Sequence, residues 1–323
     1  DAQPSPLATA PIRRSSAAAP PPAAMGLCCC NAANGAHELA IPGSAPRRAW
    51  GWKKDPHDPR DKFLCFSPAV KANLPPSVDL RKQQAFDIYD QGSLGSCTAN
   101  ALAAAFQHEQ LRQGFKTWMP SRLFIYWCER NMEGSVGEDA GAYIRDGIKC
   151  MVKYGVCPES MWPYDEGRFR DRPNEQAYVE AEKNQVLEYA RVNQTLEDMK
   201  ACISSGYPIV FGFVVYSSFQ CCWTMLTGKM TMPGCCGDAA MGGHAVQACG
   251  YDDERQVFIV RNSWGPHWGD AGHFYMPYAY ILNPDLAEDF WAIRAVEGVP
   301  FPAQRGCAEL EVAAAGPCTP LCA

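Results

Sequence analysis

Two hydrophobic periodicities occupy different halves of this chain, and their order constrains the fold more than any other feature. Helical signals come first. Ser96 stands as an N-cap before an Ala-rich apolar run from Cys97 to about Gln113, with Gly114 as its stop. A second helix begins after Ser121 and covers Arg122 to Arg130, and a third spans about Asp139 to Tyr154, ending at Gly155. Strand signals follow: Ile209–Tyr216, His244–Tyr251 and Gln256–Asn262 are rich in β-branched and aromatic residues. Helices followed by strands predict an α+β chain in two parts.

Composition limits the function classes. A chain of 323 residues is long enough for about two folding units and a sizeable core. A net charge of −6 argues against nucleic-acid binding, and no apolar run approaches the ~20 residues of a membrane-spanning helix. Residues 1–25 hold 8 Ala and 6 Pro without periodicity, so residues 1–46 are expected to be disordered. Within them, Met25-Gly26-Leu27-Cys28-Cys29-Cys30 would resemble a doubly acylated terminus at Gly26 and Cys28–Cys30 if translation began at Met25, although Cys30 stands where Ser or Thr is usual. Residues 47–73 are aromatic, charged and Pro-punctuated, as expected of an extended docking or short inhibitory segment. A globular body is expected over 74–298 and a flexible Cys-containing tail over 299–323. The 17 cysteines are odd in number, so they cannot all pair within one chain.

One cysteine has a distinctive place. Gln91-Gly92-Ser93-Leu94-Gly95-Ser96-Cys97 puts Cys97 on the first turn of a long helix after a glycine loop. Backbone N–H groups and the helix dipole there favour a thiolate, the nucleophilic form. Folding the last two strands about Asp253 sets His244 and Asn262 at equal distances from the turn, as cross-strand neighbours. An amide oxygen accepting from one imidazole nitrogen would aim the other at a proton donor, the logic of a nucleophile–base–orienter triad.

On these residues the chain resembles the papain-like cysteine peptidases, closest in style to bacterial and viral members without a long helical pro-domain. Leu74-Pro75-Pro76-Ser77-Val78-Asp79 resembles the mature start, Gln91–Ala99 the nucleophile segment, and Tyr154–Pro158 with Trp162-Pro163-Tyr164 the landmark after the third helix. Gly243-His244-Ala245-Val246 and Asn262-Ser263-Trp264-Gly265 resemble the histidine and asparagine segments. The resemblance implies a helical left half and an antiparallel, β-barrel-like right half, with the active site in the cleft between them. It implies Cys97 as nucleophile, His244 as general base and acid, Asn262 as its orienter, and Gln91 as oxyanion donor. Trp264 would shield the His244–Asn262 bond and, with Gly141, Gly242 and Gly243, line the substrate. The implied activity is that of a cysteine endopeptidase acting through a thioester acyl-enzyme on protein or peptide substrates, with no cofactor and no metal. A peptide ligase on the same triad and a non-catalytic binding module are the alternatives.

The departures shape further expectations. Leu94 stands where the family commonly has a disulfide cysteine, which favours an intracellular or lysosome-like compartment over secretion. Asp139-Ala140-Gly141 replaces the family's paired glycines on the substrate-strand wall. The segment around Trp50 and Trp52 is the candidate to occupy the cleft from within the chain. Cys221-Cys222 with Cys235-Cys236 lack the spacing of metal sites, and the family signature that the residues following Asn262 resemble already accounts for the loop with His267, Asp270 and His273.

Overall fold

A computed structural model describes residues 49–234 and 237–298. The acylation motif at Gly26 and Cys28–Cys30, the residues of the expected N-terminal disorder, Cys235, Cys236 and the expected tail lie outside the described residues.

In chain order the elements are β1 (Trp52–Lys53), α1 (Pro68–Ala72), β2 (Ser77–Asp79), α2 (Cys97–Arg112), α3 (Arg122–Glu133), β3 (Ala142–Tyr143), α4 (Ile144–Lys153), α5 (Glu175–Ala181), β4 (Val186–Arg191), α6 (Leu196–Ser204), β5 (Ile209–Tyr216), α7 (Cys222–Thr227), β6 (Ala240–Asp252), β7 (Val257–Arg261), β8 (His273–Pro277), α8 (Tyr278–Ile281) and β9 (Ala287–Val296). Helices before strands is the order expected of an α+β chain.

The helix signals read well at their ends. The Ser121 hydroxyl accepts from the Phe124 N–H at 3.1 Å, and Gly134 closes α3 in the left-handed region, so the helix runs three residues past the expected Arg130. Ser96 occupies the N-cap position of α2 but makes no capping bond. Its hydroxyl is engaged by Tyr164 at 2.6 Å and by the Asn100 amide at 3.0 Å. The third helix starts at Ile144 rather than near Asp139. The preceding residues are drawn out as β3, which pairs with β1.

The strands form one seven-stranded sheet in the order β4-β9-β5-β6-β7-β8, with β2 also on β6. Every pairing in it is antiparallel. The antiparallel right half is present as expected; among the described residues its sheet does not close into a barrel and has β4 and β8 at its ends. Helices explain why closure is unnecessary. Helix α2 buries Leu102 and Phe106 in one core with Val210, Ala245, Trp291 and Ile293 of the sheet. Phe211, Phe213, Val246 and Phe274 lie in a second core with Met199 and Ile203 of α6. A sheet covered on both faces reads as continuous apolar strands, as Ile209–Val215 does. A third core joins α3, α4 and α5 through Phe124, Cys150 and Ala177.

Candidate active site

Cys97 opens α2 and is fully buried. The loop before it is held by side chains from several directions. Gln91 donates its amide to the Leu94 carbonyl at 2.9 Å and accepts from the Ser263 hydroxyl at 2.7 Å. Tyr164 donates to the Gln91 carbonyl at 2.8 Å. Both Asp139 carboxylate oxygens accept from the Gly95 N–H at 3.0 Å, and Tyr126 donates to the same carboxylate. Asp139 is therefore a positioning residue that the sequence reading passed over, since only its departure from a glycine pattern was visible.

His244 lies on β6 and is fully buried. Its Nε2 is 2.9 Å from Asn262 Oδ1. That oxygen also accepts from the Ser263 N–H at 2.9 Å, which fixes the amide orientation. Nε2 therefore carries the proton toward Asn262, leaving Nδ1 as the other functional nitrogen. The Trp264 ring stacks over His244 at 4.9 Å and 24°, and Phe213 meets His244 edge-on at 5.8 Å.

The simple hairpin register is corrected. Gln247 pairs with Arg261 and Ala248 with Val260, and a shift between Ala248 and Gly250 precedes the turn. Continued toward the site, that register sets Asn262 beside Val246 rather than His244. The contact survives because Val246 and His244 share a face two residues apart, within diagonal side-chain reach.

The open cleft implied by the resemblance is filled by residues 49–55. The Ala49 carbonyl lies 3.5 Å from Gln91 Nε2. The Trp50 ring meets Trp264 at 5.9 Å and stands edge-on to His244 at 6.2 Å. Gly51 reaches the nucleophile loop so closely that a Cβ on it would sit 1.7 Å from the Gly95 oxygen. Its carbonyl accepts from the Ala142 N–H at 2.7 Å. Trp52 donates from its indole to Asp289 Oδ2 at 3.1 Å. The expected glycines receive this segment: a Cβ on Gly242 would come 2.6 Å from Trp50, one on Gly243 2.6 Å from Trp52, and one on Gly141 2.1 Å from the Gly51 oxygen. Gly141 is also left-handed at φ 67°. Trp264, only 5% exposed, meets the segment through Trp50 and stacks over His244 as its cover.

The segment changes the surroundings of Cys97. The sequence places Cys97 where its thiol should ionise easily. Here burial pushes the thiol up to about 12, against backbone hydrogen bonds from Ala245, Gly51 and Thr98 that pull the other way. Desolvation outweighs the helix start in this closed arrangement.

Below the cleft the segment is tied by charge. Asp55 accepts from Arg191 at 3.1 Å and from the Trp291 indole at 2.9 Å, and donates its own N–H to Asp289 at 2.7 Å. Asp61 bridges Arg145 and Arg191, each at 2.7 Å. Burial, then the neighbouring Asp289 charge, raises Asp55 to about 6, and burial raises Asp289 as well.

The motifs set aside in the sequence have other engagements. Asp270 accepts from Arg81 at 3.1 Å and from Tyr275, and His273 Nδ1 lies 3.0 Å from the Ala271 carbonyl. No helix among the described residues is long and apolar enough to cross a membrane.

A helix led by a cysteine, packed on a sheet that pairs a histidine with an asparagine, is the arrangement of a protein class, and the comparisons place the chain in it. Residues 74–284 match the sequence profile described as papain family cysteine protease. The chain belongs to that family and is a papain-type cysteine peptidase. It is 44% identical over 273 residues to an uncharacterized peptidase C1-like protein of Acanthamoeba polyphaga mimivirus, covering 77% of this chain and 88% of that protein. It is 28% identical over 236 residues to bovine (Bos taurus) pro-cathepsin H, 66% of each chain. Among solved structures, xylellain, a cysteine protease from Xylella fastidiosa, superposes with a TM-score of 0.72 at 43% identity, covering 79% of this chain and 98% of that one.

Proposed function

We propose that this protein is a cysteine endopeptidase whose own residues 49–55 close its cleft. Cys97 attacks the scissile carbonyl carbon, and its thiol proton passes to His244 Nδ1. The tetrahedral oxyanion is met by the Cys97 N–H and the Gln91 amide. His244 then protonates the leaving amine, the thioester remains on Cys97, and water releases the acyl group. Asn262 keeps Nε2 protonated and the ring aimed throughout. The observation that carries this reading is the fixed His244–Asn262 bond at 2.9 Å on the strand against which α2 packs.

Closure follows from what residues 49–55 cover. The Ala49 carbonyl takes the space beside the Gln91 donor, Trp50 covers His244, and Gly51 lies against Gly95 of the loop before Cys97. Displacing the segment returns water to Cys97, removing the desolvation that holds its thiol high. Residues 47–73 then act as a short inhibitory segment on a catalytic body of residues 74–298.

A thiol-directed epoxide tests both parts. In the full-length chain Gly51→Leu should be labelled at Cys97 at least ~10-fold faster than the unsubstituted protein, because any Cβ at 51 collides with backbone. Adding Cys97→Ala should abolish the label. An unlabelled Gly51→Leu chain would end the catalytic reading in favour of a binding module. Internal cleavage of a peptide blocked at both ends is expected, whereas peptide joining with an added amine would identify a ligase.

A further inference from the structure

Arg261, at the end of β7, is a buried cation that forms no ion pair among the described residues. It is 4% exposed and donates to the Phe86 carbonyl at 3.4 Å and to the Asp87 carbonyl. The Phe86 ring centre lies 4.3 Å from the guanidinium and the Tyr89 ring centre 5.5 Å, so two aromatic faces supply part of its stabilisation. Burial pulls the guanidinium below its ordinary pKa, and Tyr89, Cys249 and Asp87 only partly oppose that. A charge held this way is costly unless something balances it.

Arg261 lines a cavity of about 10 Å³ between α2 and the sheet, together with Gln247, Asn262, Asn100 and Tyr89. That volume admits one water-sized occupant or one monatomic ion, and no polyatomic anion. Gln247 is the cross-strand partner of Arg261 and is 1% exposed. Its Oε1 accepts from Gln84 at 2.8 Å, while its Nε2 has no hydrogen-bond partner. Asn262 repeats the pattern: His244 and the Ser263 N–H engage its Oδ1, and its Nδ2 has no partner. Asn100 Oδ1 accepts from Arg122 at 3.4 Å. The amide acceptors of the wall are thus engaged, whereas amide donors and a cation are left over. A water molecule must place its own two protons on acceptors, but a monatomic anion needs donors only.

We propose that this cavity is a halide site, filled by chloride, with the Arg261 guanidinium and the Gln247 amide as its donors. The ion balances Arg261 and steadies the strand end that presents Asn262, the next residue. The site itself is independent of the peptidase reading, and only its effect on Cys97 labelling rests on that reading.

Bromide gives the direct test, because it replaces chloride and scatters anomalously. Crystals of the full-length chain soaked in bromide should show an anomalous peak within hydrogen-bond distance of Arg261 and Gln247. A cavity without bromide overturns the site. Gln247→Glu supplies a negative charge in the same shape and keeps an acceptor for Gln84. That variant should exclude bromide and unfold at one temperature in chloride and in gluconate of equal ionic strength. The unsubstituted chain should unfold about 5 °C higher in saturating chloride than in gluconate. No gain there, or an equal gain in Gln247→Glu, overturns the assignment. The Gly51→Leu chain should be labelled at Cys97 about 5-fold faster in chloride than in gluconate, and Gly51→Leu/Gln247→Glu equally fast in both. Bromide bound with labelling indifferent to chloride breaks the link to Asn262. Bromide bound with no labelling in either salt sinks the peptidase reading and leaves the halide site standing.

Discussion

Residues 49–61 meet the rest of the protein in two places, by two kinds of contact. In the cleft, Trp50, Gly51 and Trp52 lie against Gly242, Gly95, Gly141 and Gly243, where fit is decided by the absence of side chains. Just below, Asp55 and Asp61 meet Arg145, Arg191 and Asp289, where fit is decided by charge. On the proposed reading the first contact covers the reacting atoms. The second lies away from them and sets how firmly the cover stays. Blocking and holding are thus separable, and each can be broken without touching Cys97.

Arg191 should give the largest effect. It bridges Asp55, Asp61 and Asp289, at 3.1, 2.7 and 3.4 Å, and its side chain is only 15% exposed. Removing one partner of a buried ion cluster typically costs about 3–5 kcal/mol, because the stranded charges stay desolvated. Arg191→Met should therefore speed epoxide labelling of Cys97 in the full-length chain by about 100-fold or more. Labelling at the unsubstituted rate would show that shape alone holds the segment. Gly242→Ala attacks the other contact and should act less. The atoms nearest its added Cβ belong to the Trp50 side chain, at 2.6 Å, rather than to backbone, and φ is 152°. About 10-fold faster labelling is expected, with the Arg191 cluster still holding residues 55–61.

The charged contact also carries a pH dependence that the glycine contact lacks. Three carboxylates, Asp55, Asp61 and Asp289, face two guanidiniums, while the Trp52 indole donates to Asp289 and the Trp291 indole to Asp55. An excess negative charge favours an extra proton, which agrees with the upward shift of Asp55 to about 6, caused by burial and then by Asp289. A carboxyl raised in the docked state binds its proton more tightly there than in the released state. Docking is then strongest below about pH 4 and weakens as pH rises toward 6, where it levels off. The ratio of labelling rates, unsubstituted chain over Gly51→Leu, should rise by about 10-fold from pH 4.5 to 7. Asp55→Asn should flatten that rise, and a ratio that falls with pH would contradict the cluster's role.

The same contrast explains how much could be read in the sequence. Cys97, His244 and Asn262 were legible because local pattern places them: a glycine loop before a helix, and a hairpin whose faces alternate. The register was wrong by the shift near Cys249, which no local signal announces, yet the face was right and the side chains still meet. Trp50 and Trp52 stood out as aromatic residues in a charged, Pro-punctuated stretch. Asp139 and Asp289 did not, because their partners Gly95, Trp52 and Asp55 are distant in the chain. The antiparallel half was legible but not the extent of its closure, for a related reason: whether a sheet closes depends on what covers it, here α2 on one face and α6 on the other.

Lys53 offers the smallest break and the sharpest control. It lies next to Trp52 and bridges Glu133 at 2.8 Å, with 31% of its side chain exposed. Glu133 also accepts from the Tyr143 N–H at 2.9 Å, so it is held whether or not Lys53 is present. Although the Glu133 side chain is only 6% exposed, the Lys53 end reaches solvent, so the pair contributes only about 1 kcal/mol, and less at high salt. Lys53→Ala should raise the labelling rate no more than about 5-fold, with the gain shrinking in 0.5 M salt as the bridge is screened in the unsubstituted chain. An effect approaching that of Arg191→Met would mean that charge near the cleft holds the segment as firmly as charge below it. The division between a blocking contact and a holding contact would then be lost, because Lys53 belongs to the pairing of β1 with β3 and not to the arginine cluster.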